Sequence, residues 1–521
     1  MTSPSPDPGA APARAWSTAV GASIASGVLL ALAFPPFDLG LLALVALVPL
    51  LWAWRDTGPA RAGALGFVAG LAFFGLLLSW VWYFGAVAIF PLLIALAAYW
   101  AAVGAIVGGL ARLGLRSPWL VAAAWVVLEA LRDRWPLGGF AWGEAGVALH
   151  SLSAARALAS WGGVPLVTFL VVAANALLLD LGHALARREP GALALVAGGL
   201  AAIVIATSAG VALRFEPTPT GQLHFALLQG NDQNRRLTPD EQAGQFLTRR
   251  HLALAATLHG SYDLIVFPES ALDTDPEADP VVKAKLGAIG REHGSALLVN
   301  GIADGPDGSA FNTNRLYDPG GRLQGSYAKQ HLVPYGEYVP FRDELGFVRE
   351  LEQIPRDYRP GHEARVFHVA GHPIGTVICF ESAFGPLVRE FAAKGAQAIV
   401  VSTNNRSFRR SANAAQHLAL SQMRAAELAR PVLHASISGI TGVIDASGRV
   451  RRTTSLFKNA VVIGRITTET GRTPYVRYGD WAVWGSAAAL ASTLAGGFAR
   501  RRLRAATGPM PDRPTPDRSA T

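Results

Sequence analysis

Apolar residues are gathered into long runs at 16–34, 38–54, 62–84, 86–111, 117–131, 159–180 and 191–213, with one more at 481–499. A helix rises 1.5 Å per residue and the hydrocarbon core of a bilayer is about 30 Å thick, so about twenty apolar residues cross it. The pattern therefore predicts seven membrane-spanning helices within 16–214 and an eighth at 480–499. Pro35 and Pro36 separate the first two runs, and the polar stretch from Arg55 to Arg61 separates the next. The fifth run is short and carries Glu129. So many runs in succession argue against buried core helices. A second run so soon after the first argues against a cleaved leader.

Between the seventh and eighth runs the period changes. Over 220–475, short apolar stretches such as "HFALLQGN", "YDLIVFPES", "SALLVNGI", "PIGTVICFES" and "AQAIVVSTNN" each end in polar residues. They alternate with stretches of helical period such as "SAFGPLVREFAAKG", which is the signature of an α/β domain. "LHASISGITGVIDASGRV" predicts paired strands turning at Ser447-Gly448. In such sheets chemistry gathers at the strand ends.

Composition agrees with the pattern. Apolar residues make up 51% of the chain and charged residues 16%, and mean hydropathy is +0.29, which together indicate a membrane protein. The net charge of +9 does not mark a nucleic-acid partner, because many of the arginines lie in short loops between apolar runs. Arg14, then Arg55 and Arg61, Arg112 and Arg116, and Arg187 and Arg188 occupy alternate loops, and the intervening loops are nearly free of Lys and Arg except for "LRDRWPLGGF", where Asp133 partly offsets Arg132 and Arg134. The positive-inside rule then places both termini in the cytoplasm and 220–475 outside. Residues 1–15, rich in proline, are expected to be a disordered cytoplasmic tail, and 500–521 a basic one. One cysteine excludes intramolecular disulfides and Cys-based zinc clusters, and the twelve histidines form no ligand-spaced group, so no metal or cofactor is expected.

Three predicted strand ends carry reactive groups: Glu269 in "FPES", Lys329 in "SYAKQHLVPYGEYVP" and Cys379 in "VICFES". A thiolate nucleophile needs a base, and a carbonyl intermediate needs a donor for its developing charge. Glutamate, lysine and cysteine can supply all three functions. Each residue also has a plain structural reading: Cys379 as a small buried hydrophobe, Glu269 as a helix-start acid, Lys329 as a solvated surface charge.

At these motifs the chain resembles the nitrilase (carbon–nitrogen hydrolase) superfamily, and along nearly its whole length the apolipoprotein N-acyltransferase family. "GGFAWGEAG" at 138–146 is similar to the family's membrane-domain "GFPW" stretch, and "ALLQGN" at 226–231 to the opening of its catalytic domain. "YAKQHLVPYGEYVP" at 327–340, "CFES", the segment 416–445 and "TPYVRYGDW" at 473–481 resemble further family motifs in order. The resemblance implies an extracytoplasmic αββα sandwich inserted into the helix bundle of a bacterial plasma-membrane protein. By position it implies Glu269 as general base, Lys329 as oxyanion donor and Cys379 as nucleophile. Glu337 and Glu381 are implied as supporting acids, and Phe380 as an aromatic lining the site. It implies ping-pong transfer of an acyl chain from a phospholipid donor to the α-amine of a diacylated apolipoprotein, without a cofactor. No motif sets the oligomeric state, and a monomer is expected. Family members often read "SNDAWFG" where this chain has "STNNRSFRRS" at 402–411, which lacks the tryptophan and carries Arg406, Arg409 and Arg410. Guanidinium groups pair well with phosphate and are equally at home as solvated surface charge. "QGNDQNRRL" also departs from the family pattern, and both segments resemble actinobacterial-type variants. Apolar lid loops that exclude water are expected in 341–360 and around Phe408.

Two other functions fit parts of the pattern. A membrane-anchored carbon–nitrogen hydrolase keeps the triad but leaves the spans without a chemical purpose. A transporter or scaffold keeps the spans, but they are poor in inward-facing ionisable residues, Glu129 being a rare candidate. His331 in "KQHLVP" reads as structural.

Overall fold

The computed structural model describes residues 15–232, 238–305, 308–344, 346, 348, 351–352, 354 and 356–506. The expected terminal tails lie outside them, apart from Ala15 and the backbone of 500–506, which continues the last helix. The N-terminal half is a bundle of α1 (Trp16–Leu32), α2 (Val48–Trp54), α3 (Pro59–Leu77), α4 (Ala86–Arg112), α5 (Pro118–Arg132), α6 (Ser153–Arg187) and α7 (Pro190–Ala212). Among the described residues α3, α4, α6 and α7 are long and apolar enough to cross a membrane. The 38–54 run is not one helix. A 3-10 turn at Gly40–Leu44 precedes the seven-residue α2, whose Pro49 lacks the N–H that would bond back into a preceding turn.

Small residues let the bundle close tightly. A Cβ on Gly66 of α3 would lie 2.3 Å from the Trp100 carbonyl oxygen of α4, and one on Gly104 would lie 2.3 Å from that of Ala62. Backbone therefore meets backbone, as expected where dispersion rather than the hydrophobic effect joins helices. Helix α6 breaks at Gly162 and Gly163, the latter with φ +71°, which frees the Val164 N–H to bond outward.

The α/β part runs β1 (Thr218–Gln229), α8 (Pro239–Ala243), α9 (Phe246–Ala255), β2 (Leu264–Phe267), α10 (Pro280–His293), β3 (Ala296–Asp304), β4 (Ala310–Tyr317), β5 (Leu323–Ala328), β6 (Val366–Val369) and β7 (His372–Ile378). It continues through α11 (Gly385–Ala393), β8 (Ala398–Thr403), α12 (Asn413–Leu428), β9 (Val432–Ser436), β10 (Gly442–Ile444), β11 (Val450–Thr453), β12 (Ala460–Thr470) and α13 (Pro474–Tyr478) to α14 (Trp481–Ala506). Two six-stranded sheets form, ordered β12-β1-β2-β3-β4-β5 and β11-β10-β9-β8-β7-β6. The central pairs are parallel, and β9, β10 and β11 pair antiparallel as the turn residues predict. Alternation along β1 divides the packing: Leu223, Phe225 and Leu227 join the core between the sheets, and Ala226 and Leu228 join the core under α9 and α10.

Helix α12 belongs to both halves of the molecule. All its residues except Ala415 are buried. Leu418, Ala425 and Leu428 join the sandwich core, whereas Leu420 and Met423 join that of the bundle. Gln416 at its start uses its whole amide: Oε1 accepts from the indoles of Trp80 (3.1 Å) and Trp142 (2.9 Å), and Nε2 donates to the carbonyls of Pro35 (3.0 Å) and Leu77 (3.1 Å). His150 bridges Gln422 and Asp38, both at 2.9 Å, and Glu427 caps the freed Val164 N–H at 2.8 Å. The chain segments after α1, α3 and α5 thus all reach the α/β part. Arg55, Arg116 and Arg187, from the alternate connections, line a separate cavity of about 510 Å³.

Candidate active site

Cys379 stands where β7 ends and a 3-10 turn, Cys379–Ala383, begins. Its φ is +52°, a left-handed conformation that cysteine adopts at a cost. The turn is enforced by Glu381, whose Oε2 accepts from the Ile378 N–H at 2.7 Å. Its Oε1 accepts from the Tyr327 hydroxyl (2.8 Å) and from the backbone N–H groups of Gln330 (2.7 Å) and His331 (3.1 Å). Glu381 therefore ties the segment carrying Lys329 to the segment carrying the cysteine. Burial pushes its carboxyl up to about 7, against the pull of those donors and of Lys329.

Glu269, just past β2, and Lys329, just past β5, converge on the thiol. Glu269 Oε1 accepts from Asn312 Nδ2 at 2.8 Å and Oε2 from the Asn404 N–H at 2.7 Å. Lys329 Nζ lies 3.7 Å from Glu269 Oε1 and 2.9 Å from the Glu337 carboxylate. Asn312 Nδ2 also donates to Glu337 at 3.0 Å, and Val333 N–H does so at 2.9 Å. Both carboxylates are thus fixed by the same amide on either side of one buried ammonium. Glu269 is within hydrogen-bonding reach of the Cys379 thiol.

The electrostatics follow from burial and from this one-cation, two-anion arrangement. Burial raises the Glu269 carboxyl; Lys329 pulls it back and Glu337 pushes it further up. At Lys329 burial favours the free amine, but Glu337, Glu269 and Cys379 outweigh it, so the ammonium holds its proton more firmly than usual. Burial pushes the Cys379 thiol up to about 12, with Glu269 adding to the effect and Lys329 opposing it. At rest the site holds a neutral thiol beside a carboxylate and an ammonium.

An aromatic roof joins this site to the bundle. The Phe380 ring lies 5.6 Å from Phe140, 6.2 Å from Trp142 in a stacked arrangement and 5.0 Å from Phe384. Trp142 meets Trp80 edge-on at 5.6 Å, and Trp80 meets Phe408 at 4.8 Å. The expected apolar segment at Phe408 is therefore packed on the bundle. The expected lid at 341–360 lies partly outside the described residues, and within the described part Phe341 is 65% exposed. His331 packs against Phe384 at 3.6 Å, and burial, with Lys329 adding to it, lowers it to about 4, which keeps it neutral.

The structure brings Glu269, Lys329, Glu337, Cys379, Phe380 and Glu381 together. Sequence reasoning missed Asn312, Asn404 and His417. Asn405 Nδ2 donates to His417 Nδ1 at 3.2 Å, so Nε2–H donates to the Cys379 carbonyl at 3.0 Å and holds the nucleophile's backbone. Burial lowers His417 to about 4 and keeps it neutral in that role. The available signal was a histidine and a glutamine side by side, Gln416 and His417, opening an amphipathic helix.

Residues 26–177 match the family model described as the apolipoprotein N-acyltransferase N-terminal domain, and residues 225–475 match the carbon-nitrogen hydrolase model. The chain is 32% identical over 515 residues to the apolipoprotein N-acyltransferase of Geobacter metallireducens, spanning 96% of this chain and 98% of that one. Its likeness to the apolipoprotein N-acyltransferase of Methylococcus capsulatus is 31% over 502 residues, 93% and 97% of the two chains. To that of Azotobacter vinelandii it is 32% over 520 residues, 94% and 96%.

Proposed function

The chain belongs to the apolipoprotein N-acyltransferase family, and from that premise we propose that Cys379 carries the acyl chain as a thioester between two lipid substrates. The enzyme is a membrane acyltransferase that acylates the amino terminus of apolipoproteins. The observation that carries the mechanism is the thiol held beside Glu269, with Lys329 between two carboxylates, under an aromatic roof shared with the bundle.

Because the resting thiol is neutral, its proton leaves as the sulfur attacks. Glu269 takes that proton while the sulfur bonds to the ester carbonyl carbon of a phospholipid. The developing oxyanion is met by Lys329, an interaction worth about 3–4 kcal/mol for a well-placed donor. Collapse expels the lysophospholipid alkoxide, which recovers the proton from Glu269 and leaves the thioester. The free α-amine of the S-diacylglyceryl cysteine then attacks the thioester, Glu269 takes the amine's proton, and the amide forms as the thiol is restored. An α-amine of pKa about 8 is partly neutral at physiological pH, as attack requires. Phe380, Phe140 and Trp142 shield the thioester from water, which would otherwise hydrolyse it.

The membrane gives this site its substrates. Both carry acyl chains whose exposure costs about 0.8 kcal/mol per CH₂, so a site resting on a helix bundle lets the chains stay in hydrocarbon. Eight crossings, with both termini cytoplasmic and the α/β part outside, are supported by the arrangement of the connections. Those after α1, α3 and α5 reach the α/β part, and Arg55, Arg116 and Arg187, at the others, line one separate cavity. We take the working unit to be a monomer.

Incubating the purified protein with phospholipid should add one acyl mass to the peptide containing Cys379, removable by hydroxylamine. Absence of that adduct, or an equal adduct in Cys379→Ala, would overturn the thioester mechanism.

A further inference from the structure

We propose that Arg409 holds the phosphate of the phospholipid donor, making it a specificity-determining residue of the first half-reaction. The inference rests on the thioester reading above and adds to it the group that selects the donor.

The structure sorts the three arginines of 402–411. Arg406 is engaged, its Nη1 lying 3.1 Å from Oδ2 of the buried Asp232. Arg410 lies over the Phe457 ring at 5.4 Å, in the turn between β11 and β12. Arg409 is turned by a φ of +51° onto the bundle, its guanidinium 4.7 Å from the Tyr83 ring centroid. Phe408 before it is wedged edge-on against both Trp80 and Phe84. A guanidinium lying over a ring has its face satisfied while its N–H groups point outward in the plane. Among the described residues, no carboxylate or carbonyl takes those N–H groups, and Arg409 is exposed.

Its place matches where a donor's phosphate would lie. Trp82, Tyr83 and Phe84 are each 44–49% exposed directly before α4, and aromatic residues of that kind mark the headgroup level of a bilayer. From Phe408 the aromatic path runs through Trp80 and Trp142 to Phe380, the neighbour of the nucleophile. The ester and the phosphate of a donor share one glycerol. A phosphate seated on the planar fork of Arg409 keeps that ester at the mouth of this path.

The test separates donor from acceptor and phosphate from acyl chain. Cys379 thioester formation is followed by intact mass against donor concentration, using a diacyl phospholipid and a phosphate-free diacylglycerol in the same detergent. For Arg409→Gln, the half-saturating concentration of phospholipid should rise about tenfold with the limiting rate within about twofold, and diacylglycerol should be unaffected. Arg409→Lys should recover part of the loss, Arg410→Gln should behave as wild type, and deacylation of preformed thioester by acceptor peptide should be unchanged. Equal losses with both donors, no loss with either, or a loss confined to the acceptor step would overturn the assignment. A wild-type protein that forms no thioester would instead overturn the reading on which it rests.

Discussion

Replacing Glu337 by glutamine tests the one-cation, two-anion site directly. The amide oxygen can still accept from Val333 or Asn312, so shape is kept and one negative charge is lost. Because Glu269 and Glu337 both bond the Asn312 amide nitrogen, at 2.8 and 3.0 Å, their oxygens lie within about 6 Å of each other. At an effective dielectric near 20 that separation corresponds to about 3 kcal/mol of repulsion, which the substitution removes. The sign follows: Glu337 raises Glu269, so its loss lets Glu269 give up its proton at lower pH. Lys329, deprived of its 2.9 Å partner, turns fully to Glu269 and weakens it further as a base. Single-turnover thioester formation should therefore show its acidic limb moved to lower pH, with a plateau about tenfold to a hundredfold below wild type. A limb that stays in place or moves to higher pH would refute the assignment of Glu269 as the base whose strength Glu337 sets.

Three further outcomes follow. Glu269→Gln should abolish thioester formation yet speed alkylation of Cys379 by iodoacetamide at mildly alkaline pH, because Glu269 helps push the thiol up to about 12; equal or slower alkylation would contradict that electrostatic picture. Gln416→Leu strands two indole N–H groups and two carbonyls, each costing about 1–3 kcal/mol if no water reaches it, so thermal denaturation in detergent should show a large loss; an unchanged midpoint would mean the junction is not formed as described. On α3, Gly66→Val should lower the denaturation midpoint sharply and Gly75→Val should not, since a Cβ at the first meets the Trp100 carbonyl at 2.3 Å and at the second meets nothing within 4 Å; similar midpoints would argue against the α3–α4 contact.

Glu269 and Cys379 were legible because each follows an apolar strand, where a polar or reactive group breaks the pattern. Lys329 follows β5, "LQGSYA", which is mostly polar and exposed, and only its place in the motif "YAKQHLVPYGEYVP" singled it out. What holds these three residues was not legible. Asn312 lies within β4, "AFNTNRLY", whose asparagines and arginine hide a strand that the sheet buries. Gln416 meets Trp80, Trp142, Pro35 and Leu77 across more than 270 residues of chain, and no local period encodes such a meeting. Run length alone also missed the division of 38–54, because apolar content does not register where Pro49 forbids a continuous helix. The departures at 402–411 were visible as composition, but only packing distinguishes an arginine paired with Asp232 from one lying on Tyr83.

Because α12 is buried on every side, the order of synthesis matters. The bundle that receives Gln416, Leu420 and Met423 precedes them in the chain by some two hundred residues, so it can be inserted before α12 leaves the ribosome. The catalytic part then folds onto a surface that already exists. Last to arrive is α14, whose Trp481 donates to the Trp161 carbonyl at 2.7 Å, while Asp480 before it binds Arg134 and Arg389. Biogenesis of this enzyme ends with a latch: a nascent chain released before residue 480 would hold every catalytic group and the α12 junction, yet lack the Asp480 and Trp481 contacts that close the far side of the bundle.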